Sequence, residues 1–113
     1  MISSEQFKEI LSKKVLIGDG AMGTMLYQQG VFLNSCFEEA NLNNPELVKN
    51  IHKKYIEAGA DFIETNTFGA NSFKLAKFGL QDKVEQINTK AVEIARQCAG
   101  SDCMVAGSIG PIG

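Results

Sequence analysis

The chain has 113 residues, 44% apolar and 21% charged, with a formal net charge of −2. That suits one modest globular domain and excludes a disordered tail. With no lysine or arginine stripe, no apolar run behind a basic N-terminal head and no stretch near the ~18 apolar residues of a membrane span, neither nucleic acid nor membrane is an expected partner, and a cytoplasmic setting is expected.

Ser3 and Gln6 have the spacing of a capping box ahead of a short helix reaching about Leu11. The apolar run 15–18, ended by a glycine, reads as a first strand. A second short helix is expected over 22–29, stopping at Gly30. Residues 31–43 read as irregular, because Asn34, Ser35, Asn41 and Asn43 are turn formers. Asn44 as N-cap, Pro45 at the first helical position and Glu46 in the first turn then announce a helix. Leu47, Val48, Ile51, Tyr55 and Ile56 repeat along it at helical spacing, and Gly59 closes it.

Phe62 and Ile63 form a second strand, residues 72–78 a short helix ended by Gly79. From Asp82, one apolar stripe through Val84, Ile87, Ala91, Ile94, Ala95 and Cys98 predicts a helix ending at Gly100. Residues 103–106 make a third strand. The alternation is α/β, with connections long enough for parallel crossovers. No helix follows the third strand, although parallel sheets are normally covered on both faces. The chain therefore reads as residues 1–113 of a larger (β/α) domain, truncated after strand 3.

Ligands of parallel sheets bind at the carboxyl ends of the strands. Three small, polar segments fall there: Asp19-Gly20-Ala21-Met22-Gly23-Thr24, Glu64-Thr65-Asn66-Thr67 and Ser108-Ile109-Gly110-Pro111. In the first, glycines crowd around one carboxylate, so backbone can approach a ligand whose matching group is positive, such as an amine. The same loop fits G-x-G-x-x-G, yet no acidic strand end lies about 20 residues on, and Asp19 would face a pyrophosphate with the wrong charge. A glycine-rich turn is the better reading. Asp19 and Glu64 are a candidate carboxylate pair for an α-amino group or acid–base work. Thr65, Asn66 and Thr67 offer donors suited to a carboxylate.

The single histidine, His52, sits among Lys49, Lys53 and Lys54 and reads as a partly exposed helix residue. Phe73, Leu75 and Phe78 read as packing residues. Cys36, Cys98 and Cys103 form an odd set without a C-x-x-C pair, which argues for reduced thiols. Cys98 and Cys103 read as apolar fillers at the end of the sheet opposite the site; Cys36 reads as a loop cysteine on the site side.

Leu16-Ile17-Gly18-Asp19-Gly20-Ala21-Met22-Gly23-Thr24 resembles the opening of the homocysteine S-methyltransferase family. So do Asn41-Leu42-Asn43-Asn44-Pro45-Glu46-Leu47-Val48, Tyr55-Ile56-Glu57-Ala58-Gly59-Ala60-Asp61, Glu64-Thr65-Asn66-Thr67-Phe68-Gly69-Ala70-Asn71 and Gly107-Ser108-Ile109-Gly110-Pro111. The fourth string is most similar to the cobalamin-dependent methionine synthase branch and to the bifunctional branch joined to methylenetetrahydrofolate reductase.

The resemblance implies the first three βα units of a (β/α)8 TIM barrel. It implies methyl transfer to a zinc-bound homocysteine thiolate, giving methionine, with methylcobalamin or methyltetrahydrofolate as donor through other domains. Asp19 and Gly20 match positions that hold the amino acid part of homocysteine; Glu64, Thr65, Asn66 and Thr67 match the second-strand rim. The family's three zinc cysteines match none of Cys36, Cys98 and Cys103, so no residue here is expected to bind metal, and the 113 residues alone are expected to be inactive. The alternative is a non-catalytic module that pairs with the remaining half of a barrel through unpaired strand edges.

Overall fold

The structure, a computed structural model, describes all of residues 1–113. Its first helix, α1 (Ser4–Lys13), starts at the expected capping box. Ser3 Oγ accepts the Gln6 N–H at 3.1 Å, and Gln6 Oε1 accepts the Ser3 N–H at 2.8 Å. Such a cap contributes about 1 kcal/mol. The helix runs two residues past Leu11, and none of its side chains is buried.

Residues 15–18 lie alongside the second expected strand but make only one ladder bridge, Gly18 to Phe62 in parallel. Ile17 O accepts the Asp61 N–H at 2.7 Å, and Phe62 O accepts the Asp19 N–H at 3.1 Å. A side chain replaces the next backbone partner: the Asp61 carboxylate takes the Ile17 N–H and the Lys14 ammonium, each at 2.9 Å. These two contacts hold the half-buried Asp61 carboxyl below its usual range, the Ile17 N–H being the larger cause.

After α2 (Met22–Gln28) the chain turns at Gly30, whose φ of 98° lies where side chains are strained. The expectation of an irregular 31–43 is corrected in its second half. Phe37–Glu39 forms a 3₁₀ turn that runs into α3 (Ala40–Asn43). Asn41 is not a turn former at all. It is fully buried, and its Nδ2 donates to Asn66 O at 2.9 Å and Ile87 O at 3.3 Å.

Helix α4 (Pro45–Glu57) begins at Pro45, but the Asn44 side chain makes no capping bond, so Pro45 and Glu46 carry that start. His52 is corrected outright: it is buried with no exposure, because it lies on the face of α4 that the fold covers, not beside its lysines.

Strands β1 (Phe62–Glu64) and β2 (Met104–Ala106) pair in parallel, Phe62 with Met104, Ile63 with Val105 and Glu64 with Ala106. Between them come α5 (Ser72–Ala76) and α6 (Val84–Ala99), the latter entered through a 3₁₀ turn at Gln81–Lys83. Asn71 Oδ1 caps α5 by accepting the Lys74 N–H at 2.9 Å. Helix α5 ends at Ala76, two residues short of the expected end, and of its residues only Leu75 is buried. Phe73 and Phe78 are exposed, which corrects their assignment as packing residues.

Helices α4 and α6 pack on each other and on β1. One core cluster joins Leu26, Ala40, Val48, Ile51 and Ile94; another sets Ile63 under Ala95 and Ala99. Side chains alternate across a strand, so Phe62 and Glu64 face the other way from Ile63. There Phe62 lines an open groove of about 1360 Å³ between α1 and β2, and Val15 and Ile17 stay exposed. No helix is long and apolar enough to cross a membrane.

Candidate functional site

The strand-end segments meet at the carboxyl edge of the sheet. Asp19 Oδ2 accepts the Glu64 N–H at 3.0 Å, which ties the first loop to the end of β1. The other oxygen, Oδ1, is buried and meets no donor of the protein. Burial pushes the Asp19 carboxyl above its usual range; the Glu64 N–H opposes this, and the Glu64 charge pushes it up further. An acceptor oxygen left without a donor in a shielded place is costly unless a ligand supplies one. Glu64 itself meets Asp19 through its backbone, and its side chain is exposed.

Gly20 has a steric reason. A Cβ there would come within 2.9 Å of the Tyr55 hydroxyl and 3.0 Å of its ring. That hydroxyl donates to Ala21 O at 2.7 Å, and burial, with the Asp19 charge second, pushes the phenol up.

The second loop is braced to the third. Ser108 N–H donates to Thr65 Oγ1 at 3.1 Å, and Thr67 Oγ1 donates to Ser108 O at 2.7 Å. Thr67 has spent its one hydroxyl proton, so Thr65 donates in the 2.7 Å contact between the two hydroxyls. Both threonines are buried, and their hydroxyl protons are committed to holding loops. At Gly110 the loops cross so closely that a Cβ would collide with Phe68 O. Asn66 turns inward: its Nδ2 donates to Phe37 O and to Asn41 Oδ1, both at 3.0 Å. Glu38 finishes the bracket by accepting the Gly69 N–H at 2.7 Å.

The geometry thus offers an acidic, glycine-floored rim at one sheet edge. A family model for homocysteine S-methyltransferase matches residues 16–113, the stretch that builds this rim. The chain belongs to the homocysteine S-methyltransferase family. Methionine synthase of Mycobacterium tuberculosis is 39% identical over 115 residues, and that of Mycobacterium leprae 37%. Each match covers 91% of this chain and 10% of the relative. The metallated form of the homocysteine methyltransferase MmuM from Escherichia coli superposes with a TM-score of 0.78 at 30% identity, over 93% of this chain and 41% of that one. Its oxidized form gives 0.79 at 30% identity. The chain therefore spans about a tenth of the methionine synthases and two-fifths of the solved methyltransferase, and its α/β units match that part of the structure.

No three His, Cys, Asp or Glu side chains converge to hold a metal ion. The cysteines are separate and free. Cys36 is buried against Ala70, Leu75 and Ile87; burial, with the Glu38 charge behind it, pushes its thiol up to about 11. Cys98 Sγ lies 3.7 Å from Lys49 O and Cys103 Sγ 3.7 Å from Ala60 O, and burial raises both thiols.

Of the expected site residues, Asp19, Gly20 and Glu64 come together at the rim, Thr65 and Thr67 brace the loops, and Asn66 locks the loop from below. Sequence reasoning assigned no role at the site to Tyr55, Glu38 or Asn41. Tyr55 carried a signal, a polar tip in an otherwise apolar helical stripe, but nothing in its spacing says which loop the hydroxyl meets.

Proposed function

We propose that this chain supplies the amino-acid-gripping rim of a homocysteine S-methyltransferase of the methionine synthase type, which transfers a methyl group to the homocysteine sulfur to form methionine. The supporting observation is Asp19: one oxygen anchored to the Glu64 N–H, the other buried with no donor. The substrate ammonium is the group that would complete it. Glu64 adds negative charge beside it, the Gly20 backbone leaves room for the amino acid, and Thr65, Asn66 and Thr67 keep the neighbouring wall in place. The family's zinc finds no ligand set here; its ligands and the donor site for methylcobalamin or methyltetrahydrofolate would come from the parts of the relatives that this chain does not span. The exposed Val15 and Ile17 at the sheet edge support completion of a (β/α)8 barrel by further strands.

The test is Asp19→Asn in the full-length protein. A charge-assisted hydrogen bond contributes about 1.5–3 kcal/mol, so homocysteine affinity should fall roughly 10- to 100-fold. A thiol acid lacking the amine should bind the variant and the parent alike. Unchanged homocysteine affinity refutes the reading.

A further inference from the structure

Asp19 is held on its strand side by two bonds, its own N–H to Phe62 O and the Glu64 N–H to its Oδ2. On its helix side the loop enters α2 at Ala21, which has no side-chain cap. What fixes that side comes from another helix. Tyr55, near the end of α4, packs against both the cluster around Val48 and Ile51 and the cluster around Ile63, so its ring is set by two cores. From there its hydroxyl reaches Ala21 O at 2.7 Å and its ring fills the space above Gly20.

We propose that Tyr55 is a positioning residue for amino acid binding: it clamps the Asp19-Gly20-Ala21 turn from the helix side and so aims the free Asp19 oxygen at the substrate ammonium. This rests on the role given to Asp19 above. The phenol does not touch the substrate and takes no part in methyl transfer. A rim held from one side only would let the carboxylate swing, and affinity for an amine depends on aim as much as on charge. Gly20 belongs to the same device, because any larger residue would push the ring off the loop.

The experiment is a double-mutant cycle in the full-length protein with Tyr55→Phe, Asp19→Asn and the pair. Phenylalanine keeps the ring in both cores and removes only the hydroxyl. Homocysteine binding is measured by calorimetry, kcat and KM are measured separately, and a thiol acid without the amine serves as a second ligand.

Tyr55→Phe should weaken homocysteine about 3- to 10-fold, in KM and not in kcat, and leave the amine-free thiol unaffected. In the Asp19→Asn background the same change should have no further effect, because the tyrosine acts through that carboxylate. An unchanged affinity, an equal loss in both backgrounds, or an equal loss for both ligands each overturns the proposal. A lower melting temperature with intact affinity also overturns it, since that is a merely structural role. If Asp19→Asn alone is silent, the reading of the rim fails instead.

Discussion

His52 gives the sharpest test of the packing between helices. The side chain is fully buried on α4, and neither Nδ1 nor Nε2 has a hydrogen-bond partner. Burial disfavours the imidazolium and lowers its pKa from 6.5 to about 4. The unfolded chain binds a proton near pH 6.5, whereas the folded chain does not until about pH 4. Stability is therefore complete above the unfolded value and falls as the pH drops through the window from 6.5 to 4. With 1.36 kcal/mol per pKa unit, the gap is worth about 3 kcal/mol in full and about 2 kcal/mol between pH 7 and pH 5.

His52→Leu, of similar size and without polar atoms, should remove that acid-sensitive part. At pH 7 it should be neutral or mildly stabilising, because two unpaired buried nitrogens are lost with no new cavity of consequence. Urea unfolding at pH 7, 6 and 5 measures both proteins. The parent should lose about 2 kcal/mol more than the variant over that range. Parallel losses would show that the imidazole is hydrated or paired in solution, and the burial argument would be wrong.

Asn41→Ala should cost about 2–4 kcal/mol, because it strands Asn66 O and one donor of Asn66 in a buried place and takes a second donor from the helical Ile87 O; chemical denaturation measures it, and a loss below 1 kcal/mol would refute the bracket. Gly110→Ala should separate the second and third loops, since its new carbon would collide with backbone at Phe68 and not with a flexible side-chain tip. Faster amide exchange at Ser108, with its N–H freed from Thr65, is the expected sign, and unchanged protection would contradict it.

Much of this arrangement is legible in the residues themselves. The Ser3–Gln6 cap, Pro45 at a helix start, the glycine stops and the α6 stripe are local signals, and local physics sets them. Asp19 and Glu64 were legible as rim residues because a parallel sheet sends its strand ends to one edge. The family strings point to the homocysteine S-methyltransferase family, and the family match over residues 16–113 agrees with that membership.

What the sequence could not settle were choices between partners far apart along the chain. His52 looks partly exposed beside three lysines, yet the packing of α4 decides which side of the helix is covered. Asn41 looks like a turn former until Asn66 and Ile87 arrive to use its amide. Residues 15–18 have the composition of a strand, but a competing acceptor, the Asp61 carboxylate, leaves them with a single bridge. Thr65 and Thr67 offer hydroxyls that only the crossing third loop commits to Ser108. Tyr55 reads as one more apolar position until tertiary contact carries its hydroxyl to Ala21. Caps, breakers and periodicity act within a turn or two, so the chain determines them alone; the partner of a buried polar atom is fixed only when distant segments dock.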